Sequence, residues 1–221
     1  MELAELLGIR PGVTAVIGGG GKTTLLRALG VGLAPLHRVL LCTTTKMYPV
    51  PGLPLARDLA ELDRLRAACP LVCGGRELPG TGKLGPLEIP LAALEERFDY
   101  VLVEADGAAG RPAKAHAPHE PVIPPGAWRV CVVGASGFGR PIREAAHRPE
   151  RYAILAGVRE TDPVTPETAA AVLGGEALHD VFYVNQVETA VEAAAARDLA
   201  RRLGGSGAAG SLRLGRFFPL P

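Results

Sequence analysis

Short apolar runs alternate with segments of helical periodicity along most of the chain. The apolar runs are rich in β-branched residues and predict buried strands near 13–17, 38–42, 71–73, 98–104, 130–133 and 181–184. Between these runs, apolar residues recur at helical spacing, as at Leu25 and Leu29, which predicts helices that pack on a sheet. The alternation predicts a three-layer α/β fold with a mainly parallel sheet and flanking helices. We expect one domain over 1–221, with loop insertions near 74–90 and 107–127.

The first predicted strand runs directly into a glycine loop. The loop and the start of the next helix read Gly18, Gly19, Gly20, Gly21, Lys22, Thr23 and Thr24. Glycine adopts backbone conformations closed to other residues, so successive N–H groups can turn around an anion at a helix N-terminus. Lys22 then reaches the β- and γ-phosphates of a nucleotide, and the Thr23 hydroxyl reaches Mg²⁺. The first glycine of the pattern G-x-x-x-x-G-K-[ST] falls on Val16, so we predict a P-loop of a shortened kind. An ordinary glycine-rich turn is the alternative.

The strand near 98–104 ends in acidic residues, Glu104 and Asp106. A P-loop enzyme needs a carboxylate to hold the metal or its water, and sometimes another to orient the attacking group. The two residues lie two apart, so both project to one face if the strand persists. We predict that Asp106 holds Mg²⁺, directly or through water, and that Glu104 orients water, with the reverse assignment and a plain Asp-Gly turn as alternatives. Thr23, Glu104 and Asp106 are the candidate metal ligands, and Lys22, Glu104 and Asp106 the candidate catalytic residues.

Two other strand ends carry polar residues. The second strand is followed by three threonines and Lys46, and ligands of open parallel sheets bind beyond the carboxyl ends of strands. Thr45 and Lys46 are therefore candidates for contact with the phosphates, although threonine also suits strands. The strand near 181–184 is followed by Asn185-Gln186-Val187-Glu188, which is similar to the Asn-Lys-x-Asp with which GTP-binding proteins read guanine. Asn185 is a candidate base contact, and the departures at Gln186 and Glu188 leave ATP and GTP both open.

A polar loop follows the acidic strand end and carries Arg111, Lys114, His116 and His119. The two cations could neutralise phosphate charge. The histidines are candidate ligands, with solvated or structural roles as the alternative. The candidate nucleotide-binding residues of the whole chain are Gly18, Gly19, Gly20, Gly21, Lys22, Thr23, Thr24, Thr45, Lys46, Arg111, Lys114, His119 and Asn185.

Composition excludes several classes of partner. The 221 residues are 48% hydrophobic with a formal net charge of +1, which gives no reason to expect nucleic acid or an anionic membrane surface as partner. No apolar run approaches the roughly 20 residues of a membrane span. The N-terminal residues are acidic where a signal peptide is basic, so we expect a cytoplasmic protein.

Several of these motifs together resemble the YqeC family. The resemblance rests on 20–24, 43–46 and 104–107, and on Arg111-Pro112, Lys114, Pro118-His119-Glu120-Pro121 and His147-Arg148-Pro149. It implies a P-loop NTPase-like protein that is an accessory in the maturation of a selenium-dependent molybdenum hydroxylase. The implied protein partner is that hydroxylase or the machinery that assembles its cofactor.

We therefore predict Mg²⁺-dependent binding, and slow hydrolysis, of ATP or GTP, coupled to cofactor assembly in a partner enzyme. A small-molecule kinase that holds its substrate with 108–121 is one alternative. A non-catalytic docking module, in which nucleotide only fixes a surface, is the other.

Overall fold

The structure is a computed structural model, and it describes residues 2–221. The helices are α1 Leu3–Leu6, α2 Lys22–Leu33, α3 Leu59–Ala68, α4 Leu91–Glu95, α5 Ile142–Ala145, α6 Pro149–Ala156, α7 Pro166–Glu176 and α8 Ala190–Leu203. The strands are β1 Gly12–Gly18, β2 Val39–Thr43, β3 Leu55–Ala56, β4 Leu71–Gly74, β5 Arg76–Leu78, β6 Lys83–Gly85, β7 Tyr100–Glu104, β8 Ala113–Lys114, β9 Trp128–Gly134, β10 Ala146–His147, β11 Val181–Asn185, β12 Gly207–Ser211 and β13 Arg216–Leu220.

Nine of these strands form one sheet in the order β13-β12-β11-β9-β1-β7-β2-β4-β3. Every neighbouring pair is parallel except β12 and β13. The central strand β1 pairs with β7 on one side and with β9 on the other. The glycine loop that follows β1 therefore lies in the middle of the carboxyl edge of the sheet.

Helices cover both faces of the sheet, as the alternating side chains of β1 show. Val16 packs in a cluster with the apolar side chains of α1 and α2. Ala15 and Ile17 point the other way, into a cluster with α7 and α8, and α3 and α4 extend that layer over β2, β4 and β7. The predicted three-layer α/β fold with a mainly parallel sheet is confirmed. Within residues 2–221, no helix is both long and apolar enough to cross a membrane.

Two predicted elements differ from the structure. The pattern predicts one helix over 55–68, but Leu55 and Ala56 pair with β4, and α3 begins after the Asp58 side chain caps its N-terminus. Residues 204–211 read as a flexible loop, yet β12 is fully buried. A Cβ at Gly207 would lie 2.5 Å from the Phe182 ring, so only a strand of very small residues fits there.

Candidate nucleotide site

The glycine loop passes close to neighbouring backbone and side chains. A Cβ on Gly20 would collide with the backbone of Gly134, and one on Gly21 would lie 2.6 Å from Nδ2 of Asn185. Gly21 also has a φ of 117°, which side-chain-bearing residues rarely adopt. The loop thus needs glycine here both for space and for conformation.

The N–H groups of the first three glycines donate to the protein itself. Gly18 N donates to Asp106 Oδ2 at 2.8 Å, Gly19 N to the Val132 carbonyl and Gly20 N to the Arg111 carbonyl. Within residues 2–221, the N–H groups of 21–24 have no such acceptor. The free donors therefore belong to the N-terminus of α2, where the helix dipole also favours an anion.

Thr23 and Glu104 meet at the cleft beside these donors. The Thr23 hydroxyl donates to Glu104 Oε2 at 2.6 Å, and both residues line the same cleft. Burial raises the pKa of Glu104 above its usual value, although the charge of Lys22 and the Thr23 hydrogen bond act in the opposite direction. A hydroxyl and a carboxylate are the oxygen ligands that Mg²⁺ takes, usually together with phosphate oxygens and water. This pair therefore fits a magnesium site.

Asp106 lies beneath the glycine loop and does not line the cleft. Because β7 ends at Glu104, the two carboxylates do not project from one strand face. Asp106 is fully buried, and its Oδ2 accepts from Gly18 N and lies 3.1 Å from Lys114 Nζ. Its Oδ1 lies 3.1 Å from Lys22 Nζ, which also donates to the Gly18 carbonyl at 2.7 Å. The geometry makes Asp106 an anchor for the loop and its lysine, and its role as a magnesium ligand stays a prediction.

His116 extends this buried network to helix α7. Its Nε2 lies 2.7 Å from Asp106 Oδ2, and its Nδ1 lies 2.7 Å from Glu176 Oε2. Its backbone N–H also donates to Glu176 Oε1 at 2.6 Å. Burial alone lowers the pKa of His116, but the hydrogen bonds to Asp106 and Glu176 outweigh it and raise the pKa above its usual value. Burial raises the pKa of Asp106, but the hydrogen bond with His116 and the charges of Lys22 and Lys114 outweigh it and lower that pKa to about 2.

The rest of the polar loop divides between this network and the cleft. The Lys114 ammonium is buried between Asp106, Glu120 and the Gly107 carbonyl, so it points away from the cleft. His119 is exposed and also lies outside the cleft lining. Arg111 lines the cleft, while its carbonyl accepts the hydrogen bond from Gly20.

The cleft itself has a volume of about 780 Å³ and a strongly cationic lining. Its cations are Lys22, Lys46, Lys83, Arg111 and Arg140, and its single carboxylate is Glu104. This charge suits a polyanionic ligand.

The threonines at the end of β2 do not line the cleft, and the first of them bonds to the acidic end of β7. Thr43 Oγ1 donates to the Glu104 carbonyl at 2.7 Å and accepts from Thr45 N at 3.0 Å. Thr45 Oγ1 is buried without a hydrogen-bond partner in residues 2–221 and does not line the cleft. Lys46 is exposed and does line it.

The tetrad 185–188 begins at the last residue of β11, and its polar side chains form hydrogen bonds within the protein. Asn185 Nδ2 donates to the Gly20 carbonyl at 2.7 Å, and its Oδ1 accepts from Leu212 N at 3.2 Å. The Glu188 carboxylate accepts from Ser211 Oγ at 2.8 Å and from the Arg213 guanidinium. Asn185 therefore holds the glycine loop in place, and the Glu188 carboxylate is engaged by Ser211 and Arg213.

Sequence reasoning did not single out Tyr48, Lys83, Arg140 or Glu176 as site residues. The first three lie in irregular or hairpin segments, which carry no periodic signal. Glu176 ends a helix 60 residues beyond its partner His116. The sequence pattern predicts a helix that starts after Thr165 and ends near Gly174, so Glu176 falls outside the predicted helix.

The fold and the glycine loop before α2 define a P-loop NTPase-like α/β protein. The family model described as YqeC protein matches residues 14–150. A protein of Escherichia coli (strain K12) named "Uncharacterized protein YqeC" is 36% identical over 159 residues. The match covers 67% of this chain and 62% of that protein's length. The chain belongs to the YqeC family.

One solved structure is also similar at the level of the chain trace. It is the signal recognition particle 54 kDa protein from Aeropyrum pernix K1 in complex with GDP, with a TM-score of 0.42 and 16% sequence identity. The similarity covers 96% of this chain and 44% of that chain.

Proposed function

We propose that this protein binds a nucleoside triphosphate with Mg²⁺ at the N-terminus of α2. One observation carries the proposal: the free N–H groups of 21–24 and the Thr23–Glu104 pair open onto the same cationic cleft. The N–H groups and Lys22 would hold the phosphates. Thr23 and Glu104 would hold Mg²⁺, which neutralises charge on the β- and γ-phosphates when bound.

We propose further that hydrolysis is slow. Among residues 2–221, Glu104 is the only carboxylate that lines the cleft, and no histidine of this range lines it. A carboxylate committed to the metal is poorly placed to orient an attacking water as well. The cleft thus offers phosphate binding and charge stabilisation without a dedicated base.

Membership of the YqeC family supports a proposal about the cellular role. We propose that nucleotide binding serves the maturation of a selenium-dependent molybdenum hydroxylase, with that enzyme or its cofactor-assembly machinery as protein partner. A molybdenum-cofactor or selenium-compound ligand that stimulates turnover would support this role.

Calorimetric titration of ATP and GTP with and without Mg²⁺ tests the site. We expect Lys22→Ala to weaken binding about 10- to 100-fold, because charge-assisted hydrogen bonds contribute about 1.5–3 kcal/mol each. Thr23→Ala and Glu104→Gln should weaken binding only when Mg²⁺ is present. Exposed residues of α6 provide the matched controls, Arg151→Ala and Glu150→Gln. Equal affinity in the wild type and in all three site variants would exclude this loop as the phosphate site.

A further inference from the structure

The cleft extends past the glycine loop on the side of β7 and β2. Along the carboxyl edge of the sheet, Gln186 follows β11, Arg140 comes after β9, Glu104 ends β7 and Lys46 comes after β2. Thr23 and Glu104 would hold the metal, which would neutralise charge on the terminal phosphates. The terminal phosphates would then lie at the Glu104 end, with the nucleoside toward β9 and β11. The lining beyond Glu104 would be left for another ligand.

Two segments that are hydrogen-bonded to each other line this part of the cleft. Met47 and Leu84 exchange two backbone hydrogen bonds, of 3.1 and 2.8 Å, and both side chains are buried. The bridge attaches the β5–β6 hairpin to the segment after β2. Their neighbours Tyr48 and Lys83 line the cleft, with Lys83 Nζ 4.9 Å from the centroid of the Tyr48 ring. We call Lys46, Tyr48 and Lys83 the tyrosine wall.

The tyrosine wall has both unpaired charge and an open aromatic surface. Within residues 2–221, neither Lys46 nor Lys83 forms an ion pair with a carboxylate, and the same holds for Arg111 and Arg140 across the cleft. Tyr48 is 60% exposed although it lines a cleft. Lysine recognises phosphate as a point charge, and an exposed aromatic ring offers a face on which another ring can stack.

We propose that the tyrosine wall binds a second small molecule, which carries a phosphate group and a flat aromatic or heteroaromatic ring. Lys46 and Lys83 bind the phosphate, and the open face of Tyr48 stacks on the ring. Its position next to the γ-phosphate rests on the proposed nucleotide site, but its binding to the wall does not. The two ligands occupy opposite ends of one cleft.

Calorimetry with phenyl phosphate as the probe tests this site on the full chain. We expect phenyl phosphate to bind more tightly than inorganic phosphate. Tyr48→Ala should weaken phenyl phosphate binding about tenfold, as loss of one stacked ring does. Lys83→Ala should weaken it about five- to tenfold. Arg151→Ala, which removes an exposed cation outside the cleft, should have no effect.

A second titration, in saturating Mg²⁺ and non-hydrolysable triphosphate, separates the two sites. Continued binding of phenyl phosphate supports the proposal. Displacement by the triphosphate, equal affinity in Tyr48→Ala and wild type, or no binding at millimolar concentration overturns it. If the triphosphate itself fails to bind while phenyl phosphate binding still depends on Tyr48 and Lys83, the nucleotide proposal fails and the tyrosine wall stands.

Discussion

Removal of the His116 imidazole should destabilise the fold by about 3 kcal/mol. The imidazole makes two hydrogen bonds of 2.7 Å to the buried carboxylates of Asp106 and Glu176. Hydrogen bonds to charged groups contribute about 1.5–3 kcal/mol each, and a buried pair that loses one partner costs about 3–5 kcal/mol. We expect a loss at the lower end of the range of about 3–5 kcal/mol, because Asp106 keeps its contacts with the Gly18 N–H and with two ammonium groups.

A double-mutant cycle isolates the contact between His116 and Glu176. Urea unfolding of His116→Ala, Glu176→Ala and the double variant gives the three free energies. We expect the double variant to lose at least about 1.5 kcal/mol less than the sum of the single losses, since the partners share a network. His119→Ala, an exposed histidine of the same loop, is the control. Additivity within about 0.5 kcal/mol would refute the coupling.

The stabilisation by His116 should also depend on pH. Its pKa in the folded protein is raised, with Asp106 and Glu176 facing the ring and Lys22 and Lys114 on the far side of Asp106. Its contribution is therefore complete below the unfolded pKa of about 6.5 and is lost as pH rises through the folded value. The stability difference between wild type and His116→Ala should be larger at pH 6 than at pH 9. A difference that grows with pH would contradict the protonated bridge.

Two further predictions concern the base and the glycine loop. Because Glu188 is bound to Arg213, the affinities for ATP and GTP, measured by calorimetry, should differ by no more than about tenfold, or ~1.4 kcal/mol. A hundredfold preference for GTP would show that the tetrad reads guanine. Gly21→Ala should lower the melting temperature and weaken nucleotide binding, since it adds strain at a φ of 117° and crowds Asn185. Gly32→Ala, in open space on the same helix, should stabilise by about 0.5–1 kcal/mol, and equal effects of the two changes would contradict the crowding.

The sequence predicted the layers of the fold because local patterns determine them. The β-branched runs and the helical periodicity depend only on neighbouring residues, and so does the order of strand, glycine loop and helix. The sequence pattern did not predict strand β12, because Gly207–Ser211 contains no large apolar side chain. The contacts of Glu188 with Ser211, at the end of this strand, and with Arg213, just beyond it, therefore could not be predicted either.

The roles of Glu104 and Asp106 could not be divided by spacing alone. Alternation along a strand predicts a shared face only while the strand continues, and β7 ends at Glu104. Beyond that point, the direction of Asp106 depends on Gly18, which is 88 residues away in the chain. Contacts of that kind come from the assembled sheet and leave no periodic signal.

Lys22 connects the buried network to the cleft. It contacts Asp106 below the glycine loop, yet it also lines the cleft above it. A triphosphate at the N-terminus of α2 would therefore compete with Asp106 for one ammonium group. The contacts of Asp106 with His116, Lys114 and the Gly18 N–H would offset part of the cost of this release, because the carboxylate would not be left uncompensated. The network that anchors the loop would thus also allow its lysine to bind phosphate.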